Sequence, residues 1–150
     1  MKQFRFLFSG LLLLPAFAIL QSFVAPAGGD YYKILVNDKV MIDQSVSAKE
    51  KTSLLTLPNP GETDKLVVHY SHCGKIGQDR SVFVKDSKGK LLKQWKFADS
   101  KEPGVQVKLK EMANAVGGNS TVTLHYSSKE LPGGKQLASI SIATAKTARL

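Results

Sequence analysis

His69, His72 and His125 are the three histidines of the chain, and Cys73 is its one cysteine. Three of these four donors fall in the run His69-Tyr70-Ser71-His72-Cys73, so the imidazole and thiolate ligands that zinc or copper prefers are concentrated in one segment. A metal site needs three or four such donors converging at about 2.0 to 2.3 Å. The spacing of His69 and His72 suits one face of a helix but opposite faces of a strand. A strand therefore favours His125 with His72 and Cys73, and His69 joins them only if the strand bends. The blue-copper arrangement, in which His and then Met follow the Cys closely, is missing, because both nearby histidines precede Cys73 and the next methionine is Met112. The plainer reading of Cys73 is a small buried group at the end of a core strand.

Other chemistries find less support. No G-x-S-x-G elbow is present, and Glu50, Glu62, Glu102, Glu111 and Glu130 lie in turns or polar stretches rather than as a glycosidase pair. Gly74-Lys75-Ile76-Gly77 is too short for a phosphate loop and reads as a turn. The residues therefore suggest a chain without catalytic machinery. Tyr31, Tyr32, Tyr70, Tyr126 and Trp95 could form a stacking face, but Tyr70, Tyr126 and Trp95 alternate in phase with aliphatic residues, the pattern of a core.

Short extended segments with turn signals at intervals of about ten residues must position these side chains. The expected strands include 32–36 and 39–42 across Asn37-Asp38, two residues that tolerate positive φ, and 53–57, stopped by Pro58-Asn59-Pro60-Gly61. Strands over 65–72, 80–85, 90–97, 105–109, 120–127 and 136–143 follow, with one or two helical turns near 110–116 ended by Gly117-Gly118. Trp95 and Phe97 are the expected core anchors. Leu66-Val-Val-His-Tyr-Ser71 lines up with Val122-Thr-Leu-His-Tyr-Ser127, and in both the His lies opposite the Tyr. If the two strands face or neighbour one another, His69 and His125 come close. The fold expected is an all-β antiparallel sandwich, immunoglobulin-like or similar, of about eight strands.

Lys2 and Arg5 precede an apolar run over 6–14, and Ala16-Phe17-Ala18 and Ala25-Pro26-Ala27 offer two small-residue cleavage patterns. This order marks residues 1–27 as a secretory signal, with cleavage after Ala27 preferred because cleavage after Ala18 leaves Ile19, Leu20, Phe23 and Val24 as an apolar tail. Gly10, Pro15, Gln21 and Ser22 interrupt the run, which argues against a stable membrane span. Residues 28–145 are then one β domain and 146–150 a frayed tail. The lone cysteine rules out an intrachain disulfide, although the periplasm or the exterior would permit one.

Formal net charge is +9 over 150 residues, and removing Lys2 and Arg5 with the signal leaves +7. That balance favours anionic surfaces or polymers. The lysines occur singly, without interleaved aromatics, and export removes nucleic acid as a physiological partner. Tyr31-Tyr32-Lys33-Ile34, Tyr70-Ser71-His72-Cys73-Gly74-Lys75, Lys93-Gln94-Trp95-Lys96-Phe97 and Tyr126-Ser127-Ser128-Lys129-Glu130-Leu131-Pro132 together resemble a group of small exported proteins of Gram-negative bacteria with no assigned function. The resemblance implies export and a β fold, and supplies no cofactor or catalytic residue. The sequence thus leads to an exported, non-catalytic binding module of the cell envelope, without a cofactor, whose partner is an envelope protein or an anionic envelope component. The alternative is a periplasmic zinc or copper protein using His125 with His72, Cys73 or His69.

Overall fold

A computed structural model describes residues 29–46, 51–57, 59–117 and 121–142, so the signal segment and the tail lie outside the described residues. Ten strands and one helix are formed there: β1 (Tyr31–Val36), β2 (Lys39–Ser45), β3 (Ser53–Leu57), β4 (Lys65–His72), β5 (Lys75–Ile76), β6 (Ser81–Lys85), β7 (Leu91–Lys96), β8 (Gly104–Lys108), α1 (Leu109–Val116), β9 (Val122–Ser128) and β10 (Leu131–Ile142). They make two sheets, one in the order β2-β1-β4-β5 with β8 also on β4, the other in the order β3-β10-β9-β6-β7. Alternating side chains of both sheets close on one apolar interior, the sandwich that the period-two pattern predicts.

The strand β4 shows how the pattern works. Leu66, Val68 and Tyr70 point inward at 0%, 0% and 3% exposure, while Val67, His69 and Ser71 turn outward and are half-buried. In the facing sheet Val122, Leu124 and Tyr126 of β9 do the same at 0%, 0% and 1%. Rings of Tyr70 and Tyr126 stack between the sheets with centroids 4.5 Å apart, and Tyr32 of β1 stacks beyond Tyr70 at 6.3 Å. The phenol of Tyr32 donates to Leu137 O at 2.7 Å, so its polar tip bridges the two sheets without an unpaired hydroxyl.

Turn chemistry agrees with the sequence at the first hairpin, where Asn37 and Asp38 take φ of 48° and 66°. Elsewhere the structure departs from expectation. One pair is parallel, β3 against β10, so that sheet is mixed rather than antiparallel throughout. The polar turn Gly74 to Asp79 contributes the two-residue strand β5, closed by Cys73 and Gly74 at φ of 50° and 88°. The last hairpin turns at Lys129-Glu130, and Leu131-Pro132-Gly133-Gly134, which the expected strands 120–127 and 136–143 leave as their connection, lies within β10, where the register shifts and Gly134 takes φ of 68°.

Trp95 and Phe97 are not core anchors. They lie half-buried at the margin, because β7 is an edge strand and only partly covered. Trp95 Nε1 donates to Glu111 at 3.0 Å, which ties β7 to α1, and Leu109, Met112 and Val116 of that helix plug the flank between β7 and β8. Opposite, the flank between β2 and β3 is joined by polar groups, with Gln44 donating to Tyr32 and Ser53 Oγ donating to Gln44 Oε1 at 3.4 Å. Among the described residues no helix is long and apolar enough to cross a membrane.

The core therefore sits on the β4/β9 axis. Replacing the fully buried Leu124 by Ala is expected to cost about 2–5 kcal/mol in urea denaturation. Trp95→Phe, which removes one hydrogen bond at the margin, should cost only about 1 kcal/mol. A larger loss at Trp95 would contradict this placement.

Candidate functional site

The inward turn of Tyr70 and Tyr126 decides where the histidines go. His69 and His125, their sequence neighbours, project from the outer faces of different sheets, with the tyrosine stack between them. The two strands do face one another, but the histidines point away rather than together. His125 lies on β9 against Phe83, with ring centroids 5.0 Å apart, and its Nε2 is 2.9 Å from Thr123 Oγ1. Burial, with a smaller contribution from the Lys85 ammonium, lowers its pKa to about 4. Cys73 is exposed in the β4–β5 turn rather than buried at a strand end, because the chain reverses there with positive φ. Among the described residues no three of His, Cys, Asp and Glu are grouped to hold a metal ion.

His72 instead enters a polar cluster at one end of the sandwich. Its Nδ1 is 3.4 Å from Asp30 Oδ2, and its Nε2 is 3.0 Å from Ser128 Oγ on the facing sheet. Tyr70 donates to Asp30 Oδ2 at 2.9 Å, and the Cys73 thiol lies 3.8 Å from Asp30 Oδ1. Burial and the Asp30 carboxylate raise the pKa of the Tyr70 phenol, so it remains a donor at neutral pH. Burial likewise pushes the Tyr126 phenol up, against a smaller downward pull from the adjacent Ser128 side chain, and its hydroxyl makes no well-formed hydrogen bond among the described residues. Gly77 packs over this end. A Cβ there would fall 2.7 Å from Tyr126 Oη, 2.9 Å from His72 Nε2 and 2.9 Å from Ser128 Cβ, so only glycine fits without displacing them.

Arg80 lies nearby, 2% exposed at the start of β6, with Nη1 donating to Glu102 O at 2.8 Å and Nη2 donating to Ser100 Oγ at 3.0 Å. Neutral oxygens thus take up much of the guanidinium, which anchors the β7–β8 crossover, although its Nε has no partner among the described residues.

The outer face of β4 carries a groove of about 380 Å³. On its far side β4 pairs with β8 as far as His69 opposite Gly104, and with β5 from Ser71 opposite Ile76. The groove lies at this change of partner, lined by Tyr31, Lys33, His69, Lys75, Ile76 and Pro103 among others. Gly104 lets the imidazole of His69 lie close, since a Cβ there would be 2.8 Å from Nε2. Lys33 Nζ sits 5.6 Å over the Tyr31 ring and 3.1 Å from Asp43 Oδ2, whereas Lys75 has no ion-pair partner among the described residues.

Asp30, Ser128, Gly77 and the groove lysines were not candidates from the sequence. A Ser or Asp gains meaning only from what it touches, and these contacts span up to 56 positions between His72 and Ser128. Of the histidine run, only His72 reaches its neighbours through the interior. No family model, curated protein or solved structure matches the chain.

The half-buried His125 carries a pH signature. Its folded pKa of about 4 lies below the unfolded value of about 6.5, so the unfolded chain binds the proton more readily. The contribution to stability is complete above the unfolded pKa and is lost as pH falls from about 6.5 to about 4. Thermal melts across this window should show a falling Tm for the wild type, and a smaller fall for His125→Gln. Equal falls would remove His125 as the cause.

Proposed function

We propose that the protein is an exported binding module of the cell envelope, periplasmic or secreted, and that its ligand is an anionic envelope component held in the groove on the outer face of β4. The observation that carries this reading is the composition of the groove. Tyr31, Ile76 and Pro103 supply apolar surface for the face of a ligand, and the ammonium groups of Lys33 and Lys75 supply positive charge.

Charge supports the same direction. The chain without its first 27 residues carries +7, from +9 less Lys2 and Arg5, so an anionic polymer is drawn toward it from a distance. Net charge alone gives loose attraction, whereas the groove gives one place where charge and apolar surface meet. Lys75 offers an uncommitted ammonium, and Lys33 can exchange Asp43 for a ligand anion at little cost, because both partners of that pair are solvated at 40% and 43% side-chain exposure.

The test uses an acidic oligosaccharide such as trigalacturonate, with neutral maltotriose as control, titrated calorimetrically into protein lacking residues 1–27. Binding of the acidic sugar alone is expected, weakening as sodium chloride rises from about 0.05 M to about 0.5 M. Lys75→Ala and Lys33→Ala should each weaken it about tenfold, or about 1.4 kcal/mol. Lys88→Ala, at the exposed β6–β7 turn, should leave it unchanged. An equal loss for Lys88→Ala would reduce the interaction to net charge and remove the groove.

A further inference from the structure

Behind the groove, on the inner side of β4, the contacts Asp30–His72–Ser128 run in a line. His72 Nε2 lies 3.0 Å from Ser128 Oγ and Nδ1 lies 3.4 Å from Asp30 Oδ2. At 3.4 Å the Asp30 carboxylate stands at ion-pair distance rather than in a formed hydrogen bond; the tautomer with its proton on Nδ1 sets a donor beside it and leaves Nε2 to accept from the serine hydroxyl. That is the order of hydroxyl, base and orienting acid that activates a serine on unrelated folds. A passive hydrogen bond between sheets needs only Ser128 and His72. The carboxylate on the far nitrogen is the additional feature.

A second observation lies beside it. The hydroxyl of Tyr126, whose residue is 1% exposed, lies beside the Ser128 side chain and makes no well-formed hydrogen bond among the described residues. With His72 Nε2 and Ser128 Cβ it surrounds the open side of Gly77, each atom 2.7–2.9 Å from where a Cβ would stand there. A neutral phenol there is a donor available to an oxyanion forming at Ser128.

We propose that Ser128 is a nucleophile that accepts short acyl groups, with His72 as its base, Asp30 as the positioning residue that orients the imidazole, and Tyr126 as the donor to the developing oxyanion. In the first step Ser128 Oγ bonds to the carbonyl carbon of an ester and its proton passes to His72 Nε2. The bond to the leaving oxygen then breaks, its electron pair departs with that oxygen, and the proton follows from His72. Water attacks the acyl-serine in the reverse manner, giving the carboxylic acid and restoring the hydroxyl.

Size selection follows from the cover. Ser128 is 5% exposed and the His72 side chain 10%, beneath the turn that carries Gly77. That turn is held by β5, which is two exposed residues long, and by Gln78, whose O accepts from Lys129 N at 2.8 Å and whose N donates to Glu130 Oε2 at 3.0 Å. Apart from buried Gly77 the turn is exposed and is tied down by a few hydrogen bonds, Asp79 N to Asp99 Oδ1 at 2.8 Å among them, so its local opening costs less than unfolding. An acetyl group fits such an opening better than a long acyl chain.

The experiment treats the folded protein lacking residues 1–27 with p-nitrophenyl acetate, in a Cys73→Ser background so that the exposed thiol does not consume the ester. Peptide mass mapping locates the acetyl group at early times, before deacylation is complete. The expected result is acetylation at Ser128 ahead of every other serine. His72→Gln, which keeps a hydrogen-bonding side chain but no base, should slow it about 100-fold. Asp30→Asn should slow it tenfold or more, with thermal melting showing both variants folded. Absence of acetyl from Ser128, or labelling unchanged by His72→Gln, would overturn the proposal and leave the contacts as a bond between sheets. Should His72→Gln fail to fold, the Asp30→Asn rate and the wild-type map decide in its place.

Discussion

A stack of three tyrosine rings between the sheets fixes where every other group in this protein can go. Tyr32, Tyr70 and Tyr126 lie nearly parallel, 7° apart in plane for both neighbouring pairs. Parallel rings at these offsets bury large apolar faces while leaving each hydroxyl at a rim, where it must find a partner. Tyr32 finds Leu137 O and Tyr70 finds Asp30, so two rings are bolted at their tips as well as packed by their faces. Once Tyr70 and Tyr126 turn inward, the period of two sends His69 and His125 to opposite outer faces. The same period brings His72 and Ser128 inward at one end.

Two faces of β4 then acquire different chemistry from a single run of sequence. The outward set, His69 and Ser71, helps to line the groove, and the inward set, Tyr70 and His72, meets Asp30 and the second sheet. Each face depends on a glycine from a neighbouring segment. Gly104 admits His69 and Gly77 admits His72, and in both places a Cβ would approach within 3 Å of the imidazole. The change of partner strand along β4, from β8 to β5, creates the groove outside and the crowded cover inside. Both features therefore arise from one topological event.

Apart from this end, polar groups work mainly as closures. Glu111 receives the indole of Trp95 and lies 3.6 Å from Lys93, which joins the helix to the edge strand β7. Arg80 holds the crossover through carbonyls, and Asn37 binds Lys65 N and Asp64 beside the first hairpin. These contacts set polar side chains, charged and neutral, at chain reversals and edges, where backbone groups leave the ladders and need partners.

Local sequence determined most of the strands, the first hairpin and the inward faces of β4 and β9, because alternation and turn residues act over a few neighbours, but not β5 or the first part of β10. It also placed a helix near 110–116, ended by Gly117, although Leu109, read as the end of the preceding strand, opens the helix and shares its buried face with Met112 and Val116. It misjudged Trp95, because apolar character does not say that β7 ends at an edge, and Cys73, because a reversal is not a strand end. Only the tertiary structure decided that β3 runs parallel to β10, that the repeated His-Tyr segments meet through their tyrosines, and that Asp30 and Ser128 flank His72. Such pairings join residues dozens of positions apart, and their identity is set by how two sheets pack rather than by any interval along the chain.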